Sequence, residues 1–226
     1  MSSLLQVFFS PRQLFDRVDA KPEWVLPFVT VVVVTLVLAL ILLPTVIRPY
    51  TLEKLESSLH GAGEQQERIR ELVGGPVLYV SSLASALFVT PAKLLIIAGV
   101  FTLVILPVPG EAKFQKMLSV SSYSALISVL GGVVGAATMI AKKSLEVSLS
   151  IGLFFPFLEK SNFLFRLLSQ MNFFTIWSLV VFGIGLSVVG KMSAKRSWLL
   201  VFALWVVVIV LAAFLGALGM RFSRFR

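Results

Sequence analysis

The chain has 226 residues, 58% of them hydrophobic and 14% charged, with a mean hydropathy of +0.96. A soluble domain carries about 25% charged residues, so this composition excludes a water-soluble globular fold. The long apolar runs also exclude a transmembrane barrel, whose segments of about ten residues alternate every second position. The net charge of +9 would suggest nucleic acid in a soluble protein. Here the lysines and arginines gather at the ends of apolar runs, where they meet lipid headgroups, so no nucleic-acid partner is expected. There is no cysteine, and disulfides, thiolate metal sites and cysteine nucleophiles are therefore absent.

Residues 1–23 read as an interfacial amphipathic segment. Ser10-Pro11-Arg12-Gln13 offers an N-cap, a proline at the first helical position and a capping-box glutamine. In the helix that follows, Leu14, Phe15 and Val18 share one face while Arg12, Asp16 and Arg17 lie elsewhere, a pattern suited to a membrane surface or to a partner's groove. The start lacks the basic stretch and apolar core of a cleavable leader, so none is expected. The first predicted span covers about 24–47, with Trp24 at one headgroup boundary and Arg48 and Tyr50 at the other. Residues 48–75 form a polar loop of helical composition. Its five glutamates (53, 56, 64, 67 and 71) are scattered around helices, not converging on a tight loop, and the lone His60 sits in a Gly-flanked turn. Neither pattern predicts a metal site.

The second span, about 76–107, is long for one crossing. Pro91 predicts a bend, because its ring removes the hydrogen bond to the carbonyl of Leu87. Lys93 is the one charge well inside an apolar run. By default such a residue faces the bundle or a watery cavity; the competing reading is a stem that snorkels to the headgroups. No acidic residue sits in another span to pair with it. The third span, about 114–141, has a hydroxyl-rich first half that includes Ser122 and Tyr123. Its second half carries Gly131 and Gly135, spaced for close helix approach. Residues 142–172 are apolar but broken by Pro156, Glu159, Lys160 and Arg166, as expected of an interfacial or re-entrant segment. The fourth span, about 173–190, contains Gly183 and Gly185, and the fifth, about 198–218, contains Gly216; these too are candidate packing positions. The basic, aromatic tail RFSRFR is suited to anionic lipid.

The predicted fold is thus all-α: an integral membrane bundle of five transmembrane helices with an N-terminal interfacial helix. Charge alone leaves its orientation open. A bare count puts more lysines and arginines on the side away from the N-terminus, yet the two shortest links, both basic, fall on the N-terminal side.

Several stretches resemble prokaryotic members of the Yip-domain family, the Ypt/Rab-interacting-protein-like membrane proteins. They are Phe9-Ser10-Pro11-Arg12 with Phe15, Lys21-Pro22-Glu23-Trp24 with Pro27, and the run from Phe114-Gln115-Lys116-Met117 to Ser121-Ser122-Tyr123-Ser124. Met171-Asn172-Phe173-Phe174-Thr175-Ile176-Trp177, followed by Gly183-Ile184-Gly185-Leu186, is similar as well. The chain departs from the usual pattern in having Pro107-Val108-Pro109-Gly110 before Phe114. The resemblance implies five spans with a cytoplasmic N-terminus and supplies no catalytic residues. Eukaryotic relatives are associated with Rab-type GTPases and vesicle traffic, but their cytosolic N-terminal region is much longer, so GTPase binding does not carry over.

The expected function is non-enzymatic: organising partner proteins or lipids in a cytoplasmic membrane, with membrane lipids and a membrane-protein partner or a second copy as companions. No catalytic, cofactor-binding or metal residues are assigned. The alternative is a small transporter, channel or lipid-moving protein using Lys93, Pro91 and the serine-rich half of the third span, Ser122 and Tyr123 included.

Overall fold

A computed structural model describes residues 3–58, 75–106, 113–145, 157 and 171–223, and among these every regular element is a helix. His60, three of the loop glutamates and nearly all of the segment 146–170 lie outside the described residues. Two short helices, α1 (Ser3–Phe9) and α2 (Pro11–Ala20), precede α3 (Val25–Leu42). The latter continues through a wide turn, Leu43–Ile47, into α4 (Arg48–Ser58). Next come α5 (Pro76–Ala84), a second wide turn at Ser85–Val89, and α6 (Thr90–Ile105). The long α7 (Phe114–Lys142), α8 (Phe173–Val189) and α9 (Ala194–Ser223) complete the chain.

Among the described residues, three helical stretches are long and apolar enough to cross a membrane: Val25–Lys54, Pro76–Ile105 and Phe114–Lys142. A 30-residue helix is about 45 Å long, more than a hydrocarbon core of about 30 Å requires. The apolar helix α8 is shorter, at 17 residues. Only 11% of the most apolar window of the first stretch is buried within the protein, so most of its surface faces outward. Threonines on these helices satisfy their own hydroxyls by donating one turn back: Thr30 to Leu26 O, Thr35 to Val31 O and Thr102 to Ala98 O, at 2.7–2.8 Å. In hydrocarbon an unpaired donor has no water to turn to.

Both wide turns accompany a proline. Arg48 N–H donates to Leu43 O and Thr90 N–H to Ser85 O, each five residues back instead of four. The wider ring stands two residues ahead of Pro49 and of Pro91, which lack the donor and would crowd the carbonyls of Thr45 and Leu87 inside those turns. The first helix therefore does not end at Pro44 but runs on to Ser58. Pro91 sits in the first turn of α6, half-buried, immediately after the irregularity.

Helix α7 is the centre of the molecule and packs against α1, α2, α3, α6 and α8. Residues 116–124 are buried without a break, which requires neighbours on every side. Small hydroxylated residues allow that closeness and bind it: Ser121 Oγ donates to Leu94 O of α6 at 3.3 Å, and Ser178 Oγ of α8 donates to Ser124 O at 2.9 Å. Helices α7 and α8 run antiparallel. A Cβ built on Gly185 would lie 2.6 Å from Val120 Cγ1, and one on Gly131 would lie 2.6 Å from Phe174 Cγ. Gly183 likewise lies under the indole of Trp198 from α9, whereas nothing approaches Gly135 within 4 Å. Gly216 lies in the part of α9 whose side-chain surroundings are not described.

The Gly185 contact yields a direct test. Its Cβ would also meet Phe15 Cζ at 3.0 Å, and Val120 and Phe15 are both wholly buried and cannot retreat. Gly185→Ala is expected to destabilise the protein by about 1–3 kcal/mol through overpacking. Gly135→Ala should be neutral or slightly stabilising, because alanine is the better helix former. Thermal unfolding of the two variants in one detergent checks the difference.

Candidate functional site

The first two helices do not lie free. Helix α2 packs along α8 and touches α7, and α1 packs on α7. Leu14, Phe15 and Val18, the shared face of α2, are buried within the protein, as is Val7 of α1. Phe8 meets Trp177 of α8 edge-on at 5.8 Å between ring centroids. Leu5 and Phe9 remain exposed. Ser10 occupies the N-cap position ahead of Pro11, but its hydroxyl closes no capping hydrogen bond. The backbone of α2 is therefore held by its packed face more than by its cap.

Asp19 follows Phe15 by one turn and so emerges on that packed face. Its carboxylate lies between two lysines: Oδ1 accepts from Lys116 Nζ of α7 at 2.5 Å, and Oδ2 pairs with Lys191 Nζ just beyond α8. The Asp19 and Lys116 side chains are 18% and 10% exposed, while Lys191 is 48% exposed. The Lys116 contact therefore carries more of the interaction, since solvent screens an open pair. Lys191 has a left-handed backbone, φ 48°, which a glycine would adopt more easily. A lysine there keeps the ammonium that reaches Asp19.

Burial pushes the Asp19 carboxyl up, but the hydrogen bonds and charges of Lys116 and Lys191 outweigh it and hold the group below its ordinary value of 3.8. A carboxyl that is a stronger acid in the folded state stabilises that state above the unfolded value, and the contribution disappears as pH falls through the lower folded value. The clamp is thus intact at neutral pH and is lost only in strong acid.

The Yip1 domain matches residues 5–216, a stretch that takes in α2 to α8 entire, Asp19 and both of its lysines. The chain belongs to the Yip1-domain family. It is similar to the membrane protein YknW of Bacillus subtilis strain 168, 27% identical over 224 residues, which cover 96% of this chain and 91% of that protein. No solved structure is significantly similar to the chain. The expected family is therefore shown, and with it a membrane protein.

Within this Yip1 domain the polar residues singled out from sequence fall in different surroundings. Ser122 and Tyr123 are wholly buried, and neither hydroxyl has a hydrogen-bond partner. Tyr123 is directed toward Ser3 of α1 without closing a bond to it. Lys93 is exposed, about 100° around α6 from the buried Leu94, whose carbonyl receives Ser121. The fold does not bring Lys93 together with the buried hydroxyls. The Asp19 clamp was not singled out from sequence. Its signal is positional: Asp19, unlike Asp16, is in register with the apolar face of α2, and Lys116 and Lys191 stand at the ends of helices on that side.

Asp19→Asn leaves Lys116 nine-tenths buried beside a neutral amide. It is expected to weaken the docking of α1 and α2 by about 1–3 kcal/mol, while Asp16→Asn should have little effect. Hydrogen exchange across residues 3–20 in lipid nanodiscs reads this directly, and protection in the unaltered protein should fall only below about pH 4.

Proposed function

We propose that this Yip1-domain protein is a non-enzymatic organiser of the cytoplasmic membrane, holding a membrane-protein partner or lipids in place by helix contact. The proposed architecture has five spans: the three long apolar stretches, α8 and α9. The N-terminus is cytoplasmic, residues 1–23 are a docked interfacial segment, and 142–172 is an interfacial segment at the other face. Gly131, Gly183 and Gly185 serve contacts inside the bundle, while Gly135 and Gly216 are available to a second molecule.

The observation that carries this reading is the separation of Lys93 from the buried hydroxyls. A path for solute or ion through the bundle needs charged and polar groups that share a cavity. Here the lysine looks outward, while Ser122 and Tyr123 are enclosed by packed helices and by the clamped N-terminal pair. What this chain offers to its surroundings is a broad apolar exterior with basic residues near its ends, a surface suited to contact and not to passage.

Mild crosslinking in native membranes, purification of the tagged protein and mass spectrometry test the proposal. The expected result is a membrane protein recovered in a fixed ratio to the tagged chain. Solute flux by the purified protein in liposomes, abolished by Lys93→Met, would contradict it.

A further inference from the structure

Lys93 breaks the usual rule for charges in a membrane, since it is exposed and, among the described residues, pairs with no carboxylate. Its depth follows from the helix contacts. Ser121 Oγ binds the carbonyl of Leu94, Ser124 O receives Ser178 Oγ, and Val120 abuts Gly185. These contacts set the Lys93 turn level with the stretch 178–185, the middle of α8. The 17 residues of α8 extend about 26 Å, so Lys93 lies roughly 13 Å from either end. A lysine stem reaches on the order of 6 Å. Snorkelling along α6 alone would leave the ammonium several ångströms inside the hydrocarbon.

The surface around it is ordered. Val89, Ile96 and Leu103 recur at seven-residue intervals on α6 and the turn before it, and are 59%, 64% and 68% exposed. Beside them, also seven apart, stand Ala92, which is exposed, and Gly99, with nothing within 4 Å of its Cβ position. Seven-residue recurrence keeps a line of side chains facing one neighbouring helix, and small residues along it let that neighbour approach closely. Lys93 flanks this seam next to Ile96. Leu94, Ala98, Phe101 and Ile105 occupy the opposite, buried side of α6, so the packed face of the helix and the seam point in opposite directions.

We infer that the outer face of α6, along Val89, Ala92, Ile96, Gly99 and Leu103, docks a transmembrane helix of another protein that carries a carboxylate at mid-membrane depth to pair with Lys93. This rests on the organiser reading and specifies its partner. Charge decides the occupant. A lysine at helix centre is costly when left in hydrocarbon, and intramembrane charges are almost always paired or placed in water. No aspartate or glutamate lies in α3, α5, α6, α7, α8 or α9, and among the described residues no carboxylate pairs with Lys93. A second copy of this chain therefore has no acid to offer at that depth and would set one lysine against another.

The test places a photo-crosslinking amino acid at Ile96, and at Val37 on α3 as a control, in the full chain in native membranes. The expected adduct from Ile96 maps to a transmembrane peptide of another protein containing aspartate or glutamate. Its yield should drop about tenfold or more in Lys93→Met, persist in Lys93→Arg, and return in Lys93→Glu when the partner's acid is changed to lysine. Removing an outward charge does not disturb the packed side of α6, so loss of the adduct in Lys93→Met is not loss of the fold; unchanged thermal unfolding confirms this. Adducts only with lipid, only with another copy of the chain, or unaffected by Lys93→Met would overturn the inference. If a partner co-purifies in fixed ratio yet Ile96 gives none of it, the organiser reading stands and the seam is wrong. If no partner co-purifies and no adduct forms, both fall.

Discussion

The fold depends on the enclosure of one stretch, residues 116–124 at the start of α7. A helix buried on all sides needs several neighbours that come close, and none of them can be held by the hydrophobic effect where the surroundings are lipid. The chain meets this need with small residues, hydroxyl-to-carbonyl bonds and one carboxylate. Ser121 and Ser178 tie α6 and α8 to α7. Gly185 lets Val120 and the ring of Phe15 approach the backbone of α8. At the end of the same helix, Asp19 joins α2 to Lys116 and Lys191. A carboxylate shared by two lysines is useful here because Lys116 is buried, and a charge taken out of water carries a large desolvation cost.

This arrangement inverts the polarity of a soluble protein. Ser119, Ser121, Ser122, Ser124 and Ser197 are buried, while valines and leucines of α3 and α6 are exposed. Inside a bundle a serine costs little volume, and Ser119 and Ser121 donate to the carbonyls of Gln115 and Leu94; outside, an apolar side chain meets only an apolar medium. The same medium explains the two wide turns. Proline would leave a carbonyl without its donor, and in hydrocarbon the helix must find another arrangement without breaking its hydrogen-bond ladder. The turns at Leu43–Ile47 and Ser85–Val89 do so while each helix continues.

Much of this was legible in the residues. Apolar runs of more than twenty residues dictate helices in a membrane, and the family-like stretches near the N-terminus, at Phe114–Ser124 and at Met171–Leu186 agree with the Yip1 domain. The cap of α8, where the Asn172 side chain accepts from the Thr175 amide at 2.7 Å, was not singled out from sequence. Other features were beyond the sequence for physical reasons. Periodicity identifies the apolar face of α2 but not what covers it, and lipid and protein are equally apolar to that face. The glycine spacing in α7 does not say which glycine meets a neighbour: Gly131 does, and Gly135, one turn on, has open space. Asp19 resembles any surface acid until three distant segments are folded together. Lys93 could be recognised as unusual from its neighbours alone, whereas its outward direction follows only from which side of α6 packs.

Helices α1 and α2 are part of the bundle and not a strip resting on lipid. The chain contains no cysteine, so two spin labels can be placed freely, at Arg12 on α2 and Lys195 on α9, both exposed. Pulsed electron-spin distance measurement in nanodiscs of neutral and of anionic lipid tests the claim most directly. One narrow distance is expected, the same in both membranes, because protein contacts fix α2. A broad distribution, or one that shifts when anionic lipid is added, would show the N-terminal helices following the membrane surface and would contradict it.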